Sequence, residues 1–228
     1  MLEAADPRRL PAPAEYELWW VDLRFRPSPK MQASLSATEL HKAARFVFER
    51  DRRRYIAAHA TLRQLLAKRA VLAPQDLEFT EGKYGKPALR NGAPCSFNLS
   101  HSDDDALVLI AAGGEIGVDV EVLRPVPDAQ ALAQRNFSAE EAAALVHTVS
   151  PLRDSAFLAG WTRKEACLKA IGSGLSIAPD SFTAGLAHEA LRTDIPTPHG
   201  VAEVAVQSFC HEQRLLVAWA RVVTVRSV

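Results

Sequence analysis

Two acids alternate along Ile116-Gly117-Val118-Asp119-Val120-Glu121-Val122. In a strand, residues i and i+2 share a face, so Gly117, Asp119 and Glu121 point one way and Val118, Val120 and Val122 the other. Two carboxylates set about 7 Å apart along one strand repel each other, and a cation relieves them. Oxygen ligands with no Cys or His beside them suit a hard ion such as Mg²⁺, which completes its octahedron with water and substrate phosphates. The same spacing also fits a half-exposed edge strand with two solvated acids, and D-x-E alone does not separate the two.

A second constellation is Trp161-Thr162-Arg163-Lys164-Glu165-Ala166-Cys167-Leu168-Lys169-Ala170. On a helix Trp161, Glu165 and Lys169 are four apart and line one stripe. A Glu to Lys pair on a wet helix contributes only about 0.2–0.5 kcal/mol and is common. A tryptophan in the same row implies partial burial, where a charged pair is seldom kept without a task. The third is Asn98-Leu99-Ser100-His101-Ser102, at a strand end whose following turn can offer N–H groups, a hydroxyl and an imidazole to an anion. Neighbours in sequence rarely have nucleophile and base geometry, so Ser100 and His101 are not read as a hydrolytic pair.

Other chemistries are excluded by what the chain lacks. His41, His59, His147, His188, His199 and His211 show no metal-ligand spacing, and neither a P-loop nor a dinucleotide-binding glycine pattern occurs. Twenty-seven basic and 27 acidic side chains cancel, so no global field draws the protein to nucleic acid or an anionic membrane. Cys95, Cys167 and Cys210 form no C-x-x-C pair and are odd in number, which points to a reducing compartment. The amino-terminal MLEAADPRRL has no apolar secretory core, no apolar run reaches membrane-span length, and a cytoplasmic protein is expected.

The elements that must carry these groups follow from periodicity. Residues 15–23 read as a strand. Ser36 and Glu39 form a capping box for a helix, and Tyr55, Ala58, Leu62, Leu65 and Leu66 stripe a second, with Arg52, Arg53, Arg54, Arg63 and Lys68 on its solvated face. Residues 77–80, 96–99, 106–112 and 116–122 read as strands, with Tyr84-Gly85-Lys86-Pro87 a turn and Gly113-Gly114 a hairpin connector. Ser138 and Glu141 cap a helix to about His147, and Ser150-Pro151 opens a longer one that ends at Gly172. Residues 181–186, 201–209 and 215–223 alternate as strands, and residues 194–200 read as a loop. The order implies two α+β halves meeting near Gly113-Gly114, 1–113 and 114–228, with no residue-level repeat between them.

Taken in order, YGKP, FNLSHS, IGVDVE and WTRKEACLKAIGSGL resemble the 4′-phosphopantetheinyl transferases, in the longer pseudo-dimeric class typified by the surfactin-synthetase activator. The match is collinear from about Ser36 to Leu175. It implies transfer of the phosphopantetheine arm of coenzyme A to a serine of an apo acyl or peptidyl carrier protein, releasing 3′,5′-ADP. It also implies two similar α+β halves about an approximate two-fold axis, acting as a monomer, with coenzyme A in the cleft between them. By the resemblance, Asp119, Glu121 and Glu165 are the metal positions for Mg²⁺, Glu165 is also the base, and Lys169 steadies the phosphates and leaving group. Lys42, Thr61, Lys86, Asn98, Ser100 and His101 fall on coenzyme-binding positions, together with Asp119 and Lys169. Many relatives have arginine before the threonine where this chain has Ala60, which leaves open whether Arg45, Arg53 or Arg63 assists the nucleotide. Trp161 and Gly172 to Gly174 are expected to be scaffold. The rival expectations are a non-catalytic carrier- or nucleotide-binding module and a Mg²⁺-dependent phosphohydrolase of coenzyme A.

Overall fold

The structure is a computed structural model that describes residues 7–226, with only the backbone of Leu175. The amino-terminal reading of residues 1–6 lies outside the described residues. By internal contacts the chain divides into two compact units, Met1–Glu81 with Pro87–Gly113, and Gly82–Lys86 with Gly114–Val228. Each is α+β.

The first unit runs β1 (Arg8–Leu10), β2 (Tyr16–Asp22), α1 (Pro29–Ala33), α2 (Ala37–Ala44), α3 (Glu49–Ala70), β3 (Phe79–Glu81), β4 (Pro87–Leu89), β5 (Ser96–Ser102) and β6 (Asp105–Ala111). Its antiparallel sheet has the order β1-β2-β6-β5, and β3 pairs with β4. Leu62, Leu65 and Leu66 of α3 pack on Phe97, Val108 and Ile110 of the sheet. The second unit runs β7 (Ile116–Val122), α4 (Ala129–Asn136), α5 (Ala139–His147), α6 (Ser150–Ile171), β8 (Leu191–Thr197), β9 (Gly200–His211) and β10 (Leu215–Arg226). Its antiparallel sheet has the order β7-β10-β9-β8, against which Ala166, Cys167 and Ala170 of α6 pack with Ala218, Ala220, Val204 and Val206. The connectivity repeats. In each unit a strand (β2 or β7) leads through helices to one of 22 residues (α3 or α6), and a later hairpin returns its last strand beside the first.

The repeat extends to single side chains, contrary to the sequence expectation. Both capping boxes form, at Ser36/Glu39 and Ser138/Glu141, and each acid then reaches a buried base on its unit's long helix. Glu39 pairs with Arg63 at 2.8 Å and Glu141 with Lys164 at 2.7 Å. Arg63 and Lys164 each stand fourteen residues past the first residue of their helix. Each base also donates to carbonyls of an Ala-Pro turn, Arg63 to Pro74 and Leu77 and Lys164 to Pro179 and Phe182. Burial pushes the Glu39 carboxyl up, but hydrogen bonds from His59 and Ser36 and the charge of Arg63 outweigh it and leave it at about 2.

These pairs explain several corrections. Arg63 is 1 % exposed rather than solvated, because a half-buried acid and two carbonyls replace its water. Arg54 and Arg53 are bound to Asp104 beyond the end of β5. Residues 181–186 do not form a strand: Phe182 and Ala184 carbonyls accept from Lys164 and Arg163, and the Ala184 and Gly185 N–H groups donate to Glu141. With these four backbone groups claimed by side chains, residues 182–185 cannot pair continuously in a ladder. Residues 194–200, read as a loop, include the end of β8, where Pro196 is tolerated because β8 lies at the sheet edge. Gly113-Gly114 joins the two sheets and is not a hairpin turn. Ser150 is the first residue of α6 and Val149 its cap, and α4 was not anticipated.

Candidate active site

The second unit brings the two acid-bearing motifs together. Gly117 shares its strand face with Asp119 and Glu121, and that face lies under α6. A Cβ on Gly117 would stand 2.2 Å from the Ala166 carbonyl oxygen and 2.3 Å from the Ala170 nitrogen. Glycine is therefore required for the helix to approach, and the cross-strand neighbours on this face, Ala218 and Ala220, are small as well. Both nearest atoms are backbone, so no rotamer change can make room. Gly117→Ala is accordingly expected to cost about 1–3 kcal/mol in urea unfolding; an unchanged midpoint would contradict this close approach.

Along α6 from Trp161 to Ala170, only Trp161, Glu165 and Lys169 are partly exposed, and the other seven residues are buried. From that row Lys169 reaches β7. The Lys169 ammonium lies 2.6 Å from Asp119 Oδ1, and Asp119 itself is 5 % exposed. Glu121 is paired with Arg124, three residues on, at 2.7 Å. Burial raises the Glu165 carboxyl above its ordinary range, and the charges of Asp119 and Glu121 add to that, with Lys169 pulling the other way. Three carboxylates thus act on one another across the strand–helix contact.

Among the described residues no three or more His, Cys, Asp or Glu side chains are arranged as a ready metal cage. The donor chemistry nevertheless fits a hard divalent ion: the acids are all oxygen ligands, and the charges of Asp119 and Glu121 add to the burial that raises Glu165. Beside them the second unit has an apolar pocket of about 390 Å³, lined by Arg124, Val126, Leu132, Phe157 and Trp161 among others. Trp161, expected to be scaffold, lines this pocket, and Arg124 links it to Glu121.

The remaining residues singled out from sequence are placed as follows. Lys42 is exposed in the last turn of α2, its ammonium 5.6 Å from the Tyr55 ring centre. Thr61 is buried in α3, with 2 % exposure. Asn98 and Ser100 share one face of β5 and are buried, whereas His101 takes the opposite face and is exposed. The Ser-His dipeptide lies within the strand, not in the turn beyond it. The Lys86 ammonium donates to Glu115 Oε2 and to the Ala170 carbonyl, each at 2.7 Å. Arg124 and the Lys164–Glu141 pair were not anticipated. A basic residue three past the second acid of D-x-E was a legible signal for the former; the latter spans 23 residues and left none.

Two family models match the chain: the 4′-phosphopantetheinyl transferase superfamily over residues 115–215, and the 4′-phosphopantetheinyl transferase N-terminal family over residues 28–114. The chain is 37% identical to the 4′-phosphopantetheinyl transferase HetI of Nostoc sp. over 168 residues, covering 71% of this chain and 70% of that one. It is 33% identical to the 4′-phosphopantetheinyl transferase psf-1 of Bacillus pumilus, covering 73% and 70%. Against the slr0495 protein of Synechocystis sp. it is 38% identical over 150 residues, which spans 65% of this chain and 61% of that protein. With strand, helix and acids so arranged, the chain belongs to the 4′-phosphopantetheinyl transferase superfamily. It is of the long class, and its activity is that of a phosphopantetheinyl transferase. No helix among the described residues is long and apolar enough to cross a membrane.

Proposed function

We propose that this protein moves the 4′-phosphopantetheine arm of coenzyme A onto a serine hydroxyl of an apo acyl or peptidyl carrier protein and releases 3′,5′-ADP. The observation that carries this reading is the meeting of Asp119, Glu121, Glu165 and Lys169 across β7 and α6. The serine oxygen forms a bond to the phosphorus bearing the pantetheine arm, and the bond from that phosphorus to the ADP oxygen breaks. Glu165 receives the serine proton, directly or through a water. Lys169, fixed by Asp119, meets the charge that grows on the leaving 5′-phosphate of the nucleotide. Asp119, Glu121 and Glu165 would hold Mg²⁺, which when bound neutralises diphosphate charge. The apolar pocket is proposed to receive the uncharged arm.

Lys42, Asn98, Ser100 and His101 are proposed to contact the coenzyme, as the resemblance implies. Thr61, with 2 % exposure, has little side-chain surface for such a contact. Of the three candidate arginines, Arg63 is held by Glu39 and Arg53 by Asp104, which favours the exposed Arg45 for the nucleotide. The free thiols of Cys95, Cys167 and Cys210 support the proposed cytoplasmic setting, in which the chain acts alone. Intact mass measurement of an apo carrier incubated with the protein, coenzyme A and Mg²⁺ tests the reading. A gain of about 340 Da on the carrier is expected; coenzyme cleavage with the carrier unmodified would establish a phosphohydrolase instead, and no reaction with either a binding module.

A further inference from the structure

We infer that Lys86 is a positioning residue, which staples the strand and the helix that carry the four active-site side chains. This rests on the function proposed above but on a different contact. Lys86 sits in the β3–β4 turn, closed by Gly82 N–H to the Lys86 carbonyl at 2.8 Å and by Gly85 with φ +81°. Its ammonium bonds two groups that belong to different elements. The Ala170 carbonyl lies in the last turn of α6, directly after Lys169, and Glu115 directly precedes β7, the strand of Asp119 and Glu121.

The contact is built for the stem as well as for the charge. The Lys86 side chain is only 18% exposed. Gly172, the left-handed cap of α6 at φ +73°, leaves room for it, since a Cβ there would stand 2.9 Å from Lys86 Cδ. A cation at a helix C-terminus satisfies a carbonyl that has no intrahelical donor and meets the negative end of the helix dipole. Removing the Lys86 charge frees the last turn of α6 from the start of β7, and with it the registration of Lys169 on Asp119. A side chain so engaged acts through the turnover step, not through nucleotide affinity.

The test compares wild type with Lys86→Met, which keeps the stem, Lys86→Arg, which keeps the charge, and Glu115→Gln, which removes one acceptor. Steady-state kinetics for coenzyme A and hydrogen exchange of the peptide spanning residues 166–176 are the readouts. Lys86→Met is expected to lower kcat about tenfold, to leave KM for coenzyme A within about twofold, and to speed amide exchange in the last turn of α6 about tenfold. Lys86→Arg is expected to restore most of both, and Glu115→Gln to reproduce a smaller part. A KM raised about tenfold with kcat kept would overturn the inference in favour of a nucleotide contact. Unchanged exchange in both Lys86→Met and Glu115→Gln overturns it too, even if the wild-type protein modifies no carrier. Should Lys86→Met not fold, Glu115→Gln decides by the same two readouts.

Discussion

Asp119→Ala is expected to lower kcat/KM for carrier modification at least about thousandfold, in protein whose circular dichroism matches wild type. The size follows from the side chain's two duties. Asp119 holds the Lys169 ammonium at 2.6 Å, and it is one of three carboxylates whose charges converge on the strand–helix contact. Alanine releases Lys169 from its anchor and removes a hard oxygen ligand at a position where each is needed. Positioning and electrostatic stabilisation supply nearly all of the catalysis in phosphoryl transfer, so the loss is not made good elsewhere. Turnover within about tenfold of wild type would show that Asp119 is a structural partner of Lys169 and nothing more.

The largest loss of stability is expected at a residue outside the active site. Glu141→Ala should destabilise the protein by about 3–5 kcal/mol in denaturant unfolding. Glu141 and Lys164 are 2% and 1% exposed, and burial pushes the Lys164 ammonium down from its ordinary range against the pull of Glu141. The acid also accepts from the Ser138, Ala184 and Gly185 N–H groups, so one carboxylate caps α5 and anchors the segment after α6. Alanine leaves the buried ammonium with carbonyls alone and those N–H groups without their acceptor, each a costly state. A loss below about 1 kcal/mol would mean that water enters and takes over.

The four residues of the active site were legible because two short-range periodicities pick them out. Period two puts Asp119 and Glu121 on one face, and the four-residue step puts Trp161, Glu165 and Lys169 in one row. That this face meets this row was not legible. It depends on Gly117 admitting the backbone at Ala166 and Ala170, some fifty residues away, and a lone glycine in a strand gives no partner. The α+β class followed from the order of strands and helices, but the repeated acid–base pairs did not. Charged residues on a helix are usually solvated, and nothing local marks Arg63 as the exception; its acid is 24 residues back and its carbonyls 11 and 14 ahead. The corresponding pair of the second unit, Glu141 with Lys164, took the backbone of residues 182–185 out of strand geometry, so one kind of unseen interaction produced both misreadings. Ser100 and His101 were legible as polar residues at a strand end, but alternation within β5 separates their side chains.

The central claim is that acids from β7 and α6 hold one divalent ion for the diphosphate of coenzyme A. Electron paramagnetic resonance of Mn²⁺, titrated into the protein with coenzyme A present, tests it most directly. One tightly held ion per chain is expected in wild type and none in Asp119→Ala. Equal binding by the two proteins, or no binding by wild type, would contradict the account.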